Sequence, residues 1–94
     1  MSSNFELDIF LKENSRCDSD PVHLVFSGMV VSGQVAYFND DAVLVISPTI
    51  CNGESVVESE TVMMPIDRIL SWGKGEIKSV QDMAALGISP LHTQ

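Results

Sequence analysis

The chain has 94 residues, enough for one small domain, and a formal net charge of −8 from 13 acidic and 5 basic side chains. Its longest apolar runs, such as Met29 to Val31 and Ala42 to Ile46, are far too short to cross a bilayer. No Lys or Arg lies between Cys17 and Asp67, while Asp18, Asp20, Asp40, Asp41, Glu54, Glu58, Glu60 and Asp67 all fall there. A basic patch for phosphates therefore cannot come from the middle of a single subunit.

The composition is 45% hydrophobic, more than so small a domain easily hides. A surplus of this kind is often buried against copies of the same chain. Glu6 and Asp8 stand where a secretion signal needs a basic region, so the expected location is cytoplasmic. Cys17 and Cys51 lie far apart and outside any CxxC spacing, and are expected as free thiols.

In chain order, residues 3–13 carry two patterns. Ser3-x-x-Glu6 is a helix capping box, with Phe5, Ile9, Phe10 and Leu11 as an apolar face; Phe5, Leu7, Ile9 and Leu11 also alternate as in a strand. The cap is a separate signal and favours the helix. A polar linker follows, closed by Pro21. The spacing predicts strands at about 22–27, 29–38, 42–47 and 60–65, and a short fifth at 69–72. Gly33 supplies a bend within the second, Asn39-Asp40-Asp41 a turn, and Pro48 the end of the third. A strict two-residue turn at Asn52-Gly53 sets Val45 opposite Glu60 and Val43 opposite Val62, which suits a shared face only once. A bulge or irregular excursion is therefore expected between Ser47 and Ser59. The tail, 73–94, has a capping box at Ser79-x-x-Asp82, Gly87 as a stop, and a possible helix over 80–86.

A helix followed by five short, strongly bent strands resembles the Sm, LSm and Hfq family. Gly28, Val31, Gly33, Val35 and Phe38-Asn39 stand at the spacing of its first motif, and Val62-Met63-Met64-Pro65 leading to Ile66 and Ile69 resembles its second. The likeness covers about 22–72. It implies a mainly β fold: a small five-stranded antiparallel Sm-like (SH3-like) barrel, with a short N-terminal helix and a short C-terminal helix or tail. It also implies a closed homo-oligomeric ring of five to seven subunits, joined through Val62, Met63 and Met64 of one strand and Ile69, Leu70 and Trp72 of another. The family's RNA pocket is altered here. Asn39 replaces its aspartate and Asp41 its stacking group; Val43 stands where the Sm and LSm branches have a base-reading asparagine and the Hfq branch an aliphatic residue, and Val62 or Pro65 falls where a cation is expected. Such a ring carries about −40 to −56, five to seven times the chain's −8, which repels a phosphate backbone.

Two functional expectations follow. The resemblance implies single-stranded RNA or DNA binding, with Lys12, Arg16 and Arg68 as cations and Tyr37, Phe38 and Asn39 beside them. The charge map favours an acidic scaffold for a basic protein. An acidic metal-binding ring at Asp40-Asp41, or a cluster of Glu54, Glu58 and Glu60, competes with plain solvated turns and loops. His23 is expected to point outward from its strand, and His92 to lie in a loose tail. No catalytic spacing, metal-ligand set or cofactor motif is present, so neither an enzyme nor a cofactor is expected.

Overall fold

The computed structural model describes residues 5–15, 20–52, 55–79 and 81–82. It holds helix α1 (Phe5–Glu13) and strands β1 (Val22–Phe26), β2 (Met29–Phe38), β3 (Ala42–Cys51), β4 (Val56–Glu58), β5 (Thr61–Pro65) and β6 (Ser71–Lys74). A single 3₁₀ turn, Ile66–Arg68, links β5 to β6. The strands form one antiparallel sheet in the order β4-β3-β2-β1-β6, with β5 pairing β3 on the same side as β4. The fold is thus mainly β with an N-terminal helix, and the sheet is unclosed: β5 and β6 do not pair with each other.

One face of this sheet wraps a common core. Val22 and Leu24 of β1, Val31 and Val35 of β2, and Val43 and Val45 of β3 are buried together with Leu7 and Leu11 of α1. Val62 and Met64 from β5 and Trp72 from β6, at the two ends of the strand path, pack against the same cluster. A flat sheet cannot bring its two ends to one core, so the strands must curl. Trp72 also meets Phe10 of α1, ring centroids 6.4 Å apart.

The curl has a local cause. Between the pairs Ser32↔Thr49 and Gln34↔Ile46, β2 supplies one residue, Gly33, and β3 supplies two, Ser47 and Pro48. That is a β-bulge, which bends a strand and increases its twist. Ser47 takes a positive φ of 49° to form it. A Cβ on Gly33 would lie 2.9 Å from the Ile46 carbonyl oxygen and 2.9 Å from Val45 Cγ1, so a side chain cannot fit there. A second irregularity, at Ala36, lies between Val35↔Val45 and Tyr37↔Leu44.

Several expectations are corrected. Pro48 does not end the third strand: β3 continues to Cys51 because the bulge absorbs a residue that has no N–H. The register after it departs from that of a strict Asn52-Gly53 turn, with Cys51 opposite Val56. Asn52 N–H bonds the Ser55 carbonyl at 3.2 Å, and the register becomes Val45↔Val62 and Val43↔Met64. Both of these pairs share the core face, which removes the mismatch and yields an additional strand, β4. The last strand is Ser71–Lys74 rather than 69–72, so Gly73 and Lys74 belong to the sheet. α1 falls where the helix was expected; its cap residue Ser3 lies outside the described residues, as does most of 80–86. The start signal of that second helix is present: Asp82 N–H bonds Ser79 Oγ at 3.1 Å.

The stretch after β6 is not loose at its start. Gly75 N–H bonds the Pro21 carbonyl at 2.8 Å, and Ile77 is buried with Val25, Val30 and Cys51. This segment covers the outer face of β1 and of the adjoining ends of β2 and β3. It explains why all five residues of β1 are buried, with Val22, Leu24 and Phe26 on the inner side and His23 and Val25 beneath the cover.

Candidate functional site

Two features stand out: the unpaired margins of the sheet and its outer face. The first margin is the free side of β5. Ser47 N–H bonds the Glu60 carbonyl and Ile66 N–H bonds that of Asp41, so bonded pairs toward β3 recur at every second residue. By that alternation Val62 and Met64 bond β3, while Thr61, Met63 and Pro65 direct their backbone groups away from it. Pro65 sits where a missing N–H breaks no bond within the sheet. The second margin is the free side of β6. Gly75 bonds Pro21, so Gly73 and Ser71 face β1, and Trp72 and Lys74 turn their backbone groups outward.

The residues expected at a subunit interface divide into two groups. Val62, Met64, Ile69 and Trp72 are half-buried against the chain's own core, whereas Met63 is 58% and Leu70 67% exposed. An unpaired strand bearing exposed apolar side chains is a surface that proteins normally cover.

The outer face is divided at the Gly33 bulge. On one side lie His23, Val25, Val30, Ser32 and Cys51, covered by the segment around Ile77. Ser32 Oγ accepts from Ile77 N–H at 3.1 Å and donates to its carbonyl at 3.0 Å. The Cys51 thiol points at that carbonyl too, 3.5 Å away. Burial, then the nearby charge of Asp82, pushes the Cys51 thiol above its usual range. His23 points outward from its strand as expected, yet it is buried under the cover: its Nδ1–H donates to the Gly75 carbonyl at 3.1 Å, and its ring fills the space a side chain at 73 would need. Only glycine at 73 lets the ring lie there.

On the other side of the bulge the face is bare. Tyr37, Leu44 and Met63 stand in one cross-strand row, Tyr37↔Leu44↔Met63, and Ile46 stands two residues along β3. Tyr37 is 56% exposed. Acidic residues bound this strip. Asp40 and Asp41 are exposed in the β2–β3 turn, and Glu60 and Glu58 are exposed opposite Ser47 and Thr49.

The residues expected to hold nucleic acid do not form one constellation. Phe38 packs on the core. The Asn39 side chain holds the turn, accepting from Asp41 N–H at 2.7 Å and Ala42 N–H at 2.9 Å. Tyr37 is on the outer face, Lys12 is exposed at the end of α1, and Arg68 is exposed in the 3₁₀ turn. Arg16 and Cys17 lie outside the described residues. Leu44, Ile46 and Ile77 were not singled out from the sequence. The near-continuous apolar run of β1, interrupted by His23 alone, was the available signal for Ile77, because a strand that does not alternate is covered on both faces.

Among the described residues no helix is long and apolar enough to cross a membrane, and no three His, Cys, Asp or Glu side chains are grouped as metal ligands would be. Compared with protein-family models, curated proteins and solved structures, the chain finds no match.

Proposed function

We propose that this chain is a divergent Sm-like subunit, and that copies of it close into a homo-oligomeric ring of about five to seven that serves nucleic-acid processing. The observation that supports the ring is the pair of free margins. β5 shares with β4 the free side of β3, and β6 lies at the other end of the curled sheet; β5 and β6 each have backbone groups turned outward. Antiparallel pairing of β5 with β6 of the next copy satisfies both, and a head-to-tail contact that closes by rotation leaves neither of these two margins open. It also covers Met63 and Leu70. In this reading Lys12, Arg16 and Arg68 recur around the ring as the cations for single-stranded RNA or DNA, with Tyr37 as a stacking group.

A second reading has its own support. The chain has no Lys or Arg from 18 to 67, and the Asn39 side chain is occupied by its turn. An acidic ring without nucleic acid would instead act as a scaffold for a basic protein. Fluorescence anisotropy with labelled oligo-U, oligo-A and single-stranded DNA at two salt concentrations separates the two. Binding that weakens steeply with salt and is lost in Lys12→Ala/Arg16→Ala supports nucleic acid. The absence of binding at micromolar ring concentration rules it out and leaves the scaffold.

A further inference from the structure

We infer that the bare outer face of β2, β3 and β5 docks a cationic protein segment through apolar anchor side chains. The inference rests on the scaffold reading and gives it a location. The face has an apolar row, Tyr37, half-buried Leu44 and Met63, across three strands, with Ile46 beside it between Gln34 and Thr61. Across the strands this row is about 10 Å wide, two strand spacings. Along β3, the acidic turn at Asp40-Asp41 and Glu58, which pairs Thr49, are separated by the length from Ala42 to Thr49, about 23 Å at the usual rise. The strip therefore has an apolar middle and a negative charge at each end.

Charge complementarity identifies the occupant. Every charged side chain in 20–67 is acidic, and those bordering the strip, Asp40, Asp41, Glu58 and Glu60, are all exposed. A nucleic acid would meet more carboxylates than cations there, Arg68 of the 3₁₀ turn beside Asp41 being the nearby exception. A second copy of this chain would bring the same charge to both sides and be repelled. A short segment with apolar side chains at alternate positions and Lys or Arg at both ends meets the apolar row and both acidic ends at once. The rest of the outer face is already occupied by the chain's own Ile77, so the docking surface is confined to one side of the Gly33 bulge.

Two labelled peptides test this by anisotropy at about 0.15 M salt, a concentration that screens bare surface charge. KKLSFSLKK carries anchors and cations; KKSSGSSKK carries cations alone. The expected result is binding of the first at least about tenfold tighter than the second, since burying even two side chains adds that much. The Tyr37→Ser/Ile46→Thr variant, checked for native circular dichroism, should lose about tenfold; Val57→Ser, an exposed β4 position away from the strip, should change little. Equal binding of both peptides, or binding untouched by the double variant, overturns the docking face while leaving an acidic scaffold standing. Failure of both peptides to bind removes the face and the scaffold reading together. Association of whole assemblies that Tyr37→Ser abolishes would assign the face to a second copy and overturn the inference.

Discussion

The two sides of the outer face begin from the same strand alternation and end differently. Before the Gly33 bulge, outward positions of β1, β2 and β3 carry Val25, Val30, Ser32 and Cys51, and Ile77 closes over them. Beyond it, outward positions carry Gln34, Tyr37, Leu44, Ile46, Thr61 and Met63, of which Tyr37, Ile46, Thr61 and Met63 are exposed. The difference teaches that the polar groups decide where the cover can sit. Ser32 bonds both the N–H and the carbonyl of Ile77, and His23 bonds the Gly75 carbonyl, so the covering backbone is satisfied as it crosses the sheet. The bare side carries Tyr37, Leu44, Ile46 and Met63 with Gln34 and Thr61, and no segment of the described chain bonds across it.

That contrast can be broken, most severely at its boundary. Gly33→Val should cost about 3 kcal/mol or more, because the new side chain meets backbone that cannot move without undoing the bulge. Chemical denaturation measures it, and a cost under 1 kcal/mol would mean that the bend does not depend on this residue. Next comes the cover itself. Ile77→Ala should destabilise by about 2 kcal/mol, at the low end for a buried aliphatic because the site lies near the surface. Hydrogen exchange should then quicken at residues 75–79 before it does in β2. Uniform quickening would show that cover and sheet unfold as one unit.

Smaller effects sharpen the comparison. The folded state keeps the Cys51 thiol neutral above its usual range, so its contribution is whole below the unfolded thiol's pKa of about 8.5. It declines as pH rises from there, because the unfolded chain releases the proton first. Denaturation midpoints from pH 7 to 10 should therefore fall less in Cys51→Ala than in the parent, relative to each protein's value at pH 7. On the bare side, Tyr37→Ser should change stability by no more than about 0.5 kcal/mol, as an exposed side chain away from any bonded network does. A loss of 2 kcal/mol would mean that this side is as structural as the covered one.

Much of the fold could be read from the residues, for particular reasons. Gly33 and the Asn39-Asp40-Asp41 turn are local signals, and the strands on either side of them fall where expected. β4, the passage of β3 through Pro48 and the exact register after Asn52 were not legible. The passage through Pro48 depends on the positive φ at Ser47, which no propensity for serine announces, and β4 and the register follow from the bond of Asn52 N–H to the Ser55 carbonyl. The docked tail was missed because its evidence is not local: Ile77 is a lone apolar residue in a polar stretch, and its partners Ser32 and Cys51 lie 45 and 26 positions away. The candidate site was legible only as a list. Tyr37 and Met63 were named for different roles, and it is the cross-strand pairing through Leu44 that places them side by side.

The central claim is that the free margins of β5 and β6 complete one another between copies. Light scattering coupled to gel filtration tests it most directly, on the parent chain and on Lys74→Pro, which removes an outward N–H of β6 without touching the pairing to β1. The account predicts one discrete species of about five to seven subunits for the parent and its loss in the variant. A parent chain that stays monomeric at micromolar concentration would contradict it.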